Sequence, residues 1–109
     1  MVDAVSLVPL HHGGDVYLVL DELLTHGRVW RELSEDQANE QSVLAMIADG
    51  EFHRPMRVIV FNTGEGWSRD DTADIGFKLL EMNHAGRELG NAAREFVERM
   101  TGHAPTLIA

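Results

Sequence analysis

The residues best placed to do chemistry lie together in RVIVFNTGEGWSRDDTADIG, positions 57–76. An apolar run ends at Asn62 and Thr63, a turn holds Gly64, Glu65, Gly66 and Trp67, and Ser68 and Arg69 open an acidic stretch with helical spacing. Three chemistries use such a strand–turn–helix. A dinucleotide site needs three glycines, so that the backbone can turn, approach the pyrophosphate and pack the helix; here Arg69 stands where the third belongs. A phosphate loop needs a lysine before its hydroxyl residue, and Trp67 precedes Ser68. A nucleophile elbow needs small residues around the serine, and Asp70 occupies one of those places. Asp70, Asp71 and Asp74 also complement a helix N-terminus that would otherwise attract an anion. The segment therefore reads as a turn, with Gly64 or Gly66 at positive φ, Ser68 as N-cap and Asp71 three residues on as its partner. Trp67 is left to shield the helix entrance or to anchor an interface, a role in which tryptophan is enriched.

Other candidate chemistry is thinner. His11, His12, His26, His53, His84 and His103 show neither the two-apart strand spacing nor the three- or four-apart helical spacing that brings two rings to one ion. Asp21 with Glu22, and Asp70 with Asp71, are paired carboxylates that read as solvated faces, because acid–base work needs a pocket to separate their pKa values. A serine that caps a helix is poorly placed to attack a substrate. Glu51, Phe52, His53 and Arg54 read as an ordinary connection that could rim a cleft. No catalytic residue, metal site or cofactor is expected.

The chain has 109 residues, 44% of them hydrophobic, which suits one domain with a modest core. Eighteen acidic against nine basic residues give a net charge of -9, and Lys78 is the single lysine. That field repels nucleic-acid phosphate and anionic lipid, so neither is expected as a partner; mimicry of nucleic acid has the charge as its only support. No cysteine is present, which fits a reducing cytoplasm and removes thiol chemistry. The longest apolar runs, Val16 to Leu20 and Val58 to Phe61, are far below the roughly 20 residues that span a bilayer, and Asp3 stands where a signal peptide carries positive charge. No membrane anchor and no export are expected.

The elements that must position these residues follow from pattern. Residues 1–15 form an N-terminal tail closed by Gly13 and Gly14, and residues 16–109 a single domain. VYLVLD (16–21) and RVWREL (28–33) predict a hairpin with Gly27 in a six-residue loop. Ser34, with Gln37 three positions on, predicts a helix start, and Gly50 its end. MRVIVFN (56–62) is the strongest strand, and Pro55 sits where its missing N–H does least harm. A second helix follows Ser68, with Ile75, Leu79 and Met82 on one face, widened by Phe77 and Leu80. A third, over 91–100, carries Ala92, Phe96 and Met100 and stops at Gly102. The expected fold is α+β: a small three-stranded sheet in the order ββαβαα, with helices mainly on one face and the third strand beside the first.

YLVLD, GRVWRE, DGEF, RPMRVIVFNTGEGWSRDDTADI and FVERM together resemble a family of small, functionally uncharacterised alphaproteobacterial proteins, whose hallmark is a strand followed by Phe-Asn-Thr-x-Glu-Gly-Trp-Ser-Arg-Asp. The resemblance covers roughly residues 16–100. It implies a cytoplasmic bacterial protein with a common surface at Asn62, Thr63, Glu65, Trp67 and Arg69, and it carries no activity. In MRVIVFN both alternate sets, Val58 with Val60 and Ile59 with Phe61, are apolar, so the strand needs cover on both sides; either Ala4 to Leu10 or another subunit supplies it, and a homodimer is expected. The resulting functional expectation is a small acidic binding or regulatory module acting through protein contacts. Its alternative is a small-molecule-binding protein or enzyme whose cleft, at the end of the third strand, uses Asn62, Thr63, Trp67 and Arg69.

Overall fold

The structure, a computed structural model, describes residues 15–107. Four strands, β1 (Val16–Leu23), β2 (Gly27–Glu32), β3 (Pro55–Asn62) and β4 (Trp67–Asp70), form one antiparallel sheet in the order β2-β1-β3-β4. Three helices, α1 (Glu40–Ala48), α2 (Thr72–His84) and α3 (Asn91–Thr101), complete the α+β fold. The expected position of the third strand beside the first holds. The expected three strands become four, because Trp67 to Asp70, taken from the sequence as a helix entrance, pair with Asn62 to Ile59 instead.

Register divides the sheet into two unlike faces. Tyr17 and Val19 of β1 and Val58 and Val60 of β3 point to one side and pack with Val43, Ile47, Ile75, Leu79, Phe96 and Val97 of the helices. The other side pairs Val16 with Phe61, Leu18 with Ile59 and Leu20 with Trp30, and these residues lie outside that core cluster. β3 is therefore apolar on both sides, as its sequence requires, yet the described helices cover only one.

Helix ends correct the sequence reading in a consistent way. Ser34 and Gln37 do pair, through Ser34 Oγ and Gln37 Oε1 at 2.9 Å, but on a single 3-10 turn (Glu35–Gln37); α1 starts later, where the Asn39 side chain accepts the Ser42 N–H at 2.9 Å. Gly50 and Gly102 end α1 and α3 as expected. Ser68 caps nothing. It lies within β4 opposite Phe61, and Asp70 Oδ1 accepts both the N–H and the hydroxyl of Thr72 at the start of α2. Thr72 Oγ1 in turn accepts the Val58 N–H at 2.9 Å, and the Asp71 N–H donates to Val58 C=O at 2.8 Å, so the helix entrance continues the ladder where β4 stops. Phe77, expected to widen the buried face of α2, is half exposed.

Gly76 sets how closely α2 and α3 approach. A Cβ there would lie 2.7 Å from Met100 Cβ, inside contact distance, so glycine is what allows these helices to touch at that point.

Candidate functional site

The five residues singled out by sequence fall on the β3–β4 hairpin and mostly serve the hairpin itself. Asn62 is buried; its Oδ1 accepts the Glu65 N–H at 2.8 Å and its carbonyl accepts the Gly66 N–H at 2.8 Å, which closes the four residues 63–66 into a loop. Gly66, at φ 76, supplies the left-handed step that returns the chain into β4. Asn62 Nδ2 also donates to Asp15 Oδ1 at 3.3 Å. Glu65 accepts the Trp67 indole N–H at 2.7 Å. Thr63 is exposed at the tip.

Trp67 and Arg69 stand on a strand, β4, and not at a helix entrance. Their cross-strand partners, Asn62 and Val60, point to the helix side, so both side chains flank the core. Trp67 is half-buried and packs against the core cluster, with the Arg69 guanidinium 4.9 Å above its ring. Arg69 pairs with Asp71 at 2.9 Å. Asp71, whose side chain is almost fully buried, thus holds the guanidinium rather than closing a capping box.

Around Asp71 the elements bring together a polar cluster: Asp71, Asp74 and Lys78 have helical spacing, but Glu40 joins them only through the fold. Carboxylate oxygens of Glu40 on α1, of Asp71, and of Asp74 on α2 lie within 4.8 Å of one another. Lys78 reaches into it, 2.5 Å from Glu40 and 3.1 Å from Asp74, and these two hydrogen bonds hold its ammonium well above the usual lysine range. The single lysine therefore ties α1 to α2. Tyr17, buried beneath, has its phenol pushed up first by burial and then by the charges of Glu40, Asp15 and Asp71. A cation already meets each carboxylate: Arg69 on Asp71, Lys78 on the other two. The arrangement is an ion-pair network and offers no pair of carboxyl groups poised as acid and base.

A second polar group stands at the opposite end of the sheet. Asp21, expected on a solvated face, is fully buried. A shift in the β1–β3 register after Leu20 turns the chain so that Asp21 accepts the Arg54 N–H at 2.7 Å, the His53 N–H at 3.1 Å and Arg31 Nη1 at 3.3 Å. Arg31 also stacks 5.0 Å over Phe52. The Glu51 to Arg54 connection is thereby fastened to the sheet. Glu22 beside it takes Arg54 at 2.6 Å and Arg28 at 3.3 Å, and those hydrogen bonds hold its carboxyl below the usual range. His53 and Arg54 do line a cleft, of about 430 Å3, with Glu22, Leu23, Leu24, Thr25 and Gly27. It lies at the β1–β2 hairpin, away from Asn62 and Trp67.

No family model, curated protein or solved structure matches the chain. His26, His53, His84 and His103 are exposed and stand outside the acidic trio, while His11 and His12 lie outside the described residues, as does the apolar Ala4 to Leu10. Among the described residues no helix is long and apolar enough to cross a membrane.

The feature that sequence spacing indicated only in outline is the helix-free sheet face. Leu18, Leu20, Ile59 and Phe61 form its half-buried apolar centre, continued by Trp30, which is 53% exposed, and by Val16. Charge borders it: Arg57 pairs with Asp70 at 3.4 Å on one flank, and Arg28 with Glu22 on the other.

Proposed function

We propose that this protein is a small acidic, cytoplasmic contact module that works through protein–protein association and carries no catalysis. The observation that supports it is the helix-free apolar face running from Phe61 and Ile59 through Leu18 and Leu20 to the exposed Trp30. An apolar strip with a charged border, ending in a solvent-facing tryptophan, is the composition of a protein interface. The rival reading, a ligand cleft around Asn62, Thr63, Trp67 and Arg69, has less to support it. Asn62, Glu65, Trp67 and Arg69 spend their polar groups on closing the hairpin and on Asp71. The likeness of 16–100 to small alphaproteobacterial proteins is compatible with the contact reading and adds no activity to it.

The test compares the size of the purified protein with its size in the native cell extract. The native protein is expected to run larger than a single chain, purified or in extract, and Phe61→Glu, which places a charge on the outer face, is expected to remove any mass gained through that face while the fold is kept. A native chain that is monomeric both alone and in extract overturns the reading.

A further inference from the structure

We propose that a second copy of this chain pairs antiparallel along β2, centred on Trp30, so that two four-stranded sheets become one of eight strands. This rests on the contact-module reading and names one partner and its register.

β2 is an edge of the sheet, and its residues are exposed except for the half-buried Val29. In an antiparallel ladder alternate residues exchange hydrogen bonds with a given neighbour. The Leu33 N–H donates to Tyr17 C=O at 3.3 Å. By alternation Arg31, Val29 and Gly27 also turn their backbone groups toward β1. Arg28, Trp30 and Glu32 then turn theirs toward the open edge. The side chains of these same three residues stand on the helix-free face, opposite Glu22, Leu20 and Leu18. The edge carries no proline, no lysine and no bulge, three of the devices that keep a strand from pairing, and its charges, Arg28, Arg31 and Glu32, are of both signs.

The spacing is self-complementary. Arg28 and Glu32 are each two residues from Trp30, on opposite sides. A two-fold axis at Trp30 therefore sets Arg28 opposite Glu32 of the second copy twice, and Trp30 across from Trp30 of the second copy. The three outward N–H and three outward C=O groups of each β2 find partners in that same register. Sliding the strands by two residues either way loses both Arg–Glu contacts, and sliding by four sets like charges face to face. Glu32 makes no ion pair among the described residues. Arg28 sits on Glu22 at 3.3 Å, but Glu22 also holds Arg54 at 2.6 Å and keeps a cation when Arg28 turns to the second copy.

The decisive experiment is sedimentation equilibrium on the full chain, with circular-dichroism melting to show that each variant folds. The native protein is expected to be a dimer at micromolar concentration. Arg28→Glu and Glu32→Arg each convert two opposite-charge pairs into like-charge pairs and should weaken the dimer about ten-fold or more. The double variant Arg28→Glu with Glu32→Arg should recover native affinity to within about three-fold. An equimolar mixture of the two single variants should form a mixed dimer tighter than either makes alone. A purified protein that is monomeric throughout, or a dimer indifferent to these changes, overturns the proposal. If such a protein still runs larger in extract and loses that mass with Phe61→Glu, the contact reading stands and only the edge pairing falls.

Discussion

At the residue scale, two carboxylates adjacent in sequence have opposite fates. Asp21 is fully buried and accepts two backbone N–H groups and Arg31, whereas Glu22 lies at the surface between two arginines. Asp21→Ala removes the acceptor of those part-buried donors and should cost about 1–3 kcal/mol in urea unfolding. Glu22→Gln should change the midpoint little. A similar contrast lies at the entrance to α2. Asp70→Ala removes the acceptor of the Thr72 N–H and should cost about 1 kcal/mol, while Ser68→Ala should be nearly silent. Desolvation, the largest single influence on the Asp70 carboxyl, raises its pKa; the two Thr72 hydrogen bonds and Arg57 together outweigh it and leave the pKa below the ordinary value. A folded-state pKa depressed in this way contributes stability above the unfolded value of 3.8 and loses it as pH falls through the folded value. The stability gap between native protein and Asp70→Ala should therefore narrow in acid below about pH 4, as read by melting at a series of pH values.

At the element scale, the informative position is Gly76. Glycine inside α2 costs roughly 1 kcal/mol against alanine in helix propensity, so Gly76→Ala on an open helix surface would stabilise. Here the added methyl meets Met100 Cβ at 2.7 Å, an atom fixed by the α3 backbone rather than the free end of a side chain. Overpacking of that kind costs about 1–3 kcal/mol, and the clash is expected to win. Gly76→Ala should lower the denaturation midpoint, and a raised midpoint would show that α2 and α3 have slack at this crossing. The hairpin makes a parallel point about elements. Trp67 and Arg69 lie on the core side of β4, with Trp67 packed on the core cluster, so Trp67→Ala is expected to lower stability as well as any association.

At the scale of the whole molecule, the two faces of one strand separate folding from association. Val60 is fully buried among the helices, whereas Phe61, its neighbour, lies on the helix-free side. Val60→Glu should abolish the cooperative melt, because an unpaired charge enters the core. Phe61→Glu should melt close to native and lose only association. Equal damage from both would mean that the outer face is core in the functional state. The acidic balance of the chain works at this scale too. A net charge of -9 opposes close approach of two copies, so the edge dimer should tighten as salt screens the repulsion, until screening also weakens its Arg–Glu contacts.

Features that depend on near neighbours along the chain are legible in the residues themselves. Runs of β-forming apolar residues made β1 and β3 legible, and glycine placed the ends of α1 and α3 at Gly50 and Gly102; 3.6-residue spacing gave Ile75, Leu79 and Leu80 of α2 and Phe96 of α3, but Ala93 and Val97, not Ala92 and Met100, complete the buried face of α3. The apolar character of both β3 faces was equally plain, since it needs only the period of a strand. What escaped was anything settled by a partner far along the chain. Ser68 looked like a cap because a serine before an acidic run usually is one; pairing with Phe61 made it a strand residue, and Asp70 took the terminal N–H instead. Asp21 looked solvated because its acceptors' partners, His53 and Arg54, are more than thirty residues away. The burial of Trp67, the meeting of Glu40 with Lys78, and the choice of which β3 face the helices cover were likewise decided only by tertiary structure. Local pattern gives a strand two apolar faces; only the packing of the other elements determines which of them is left for another molecule.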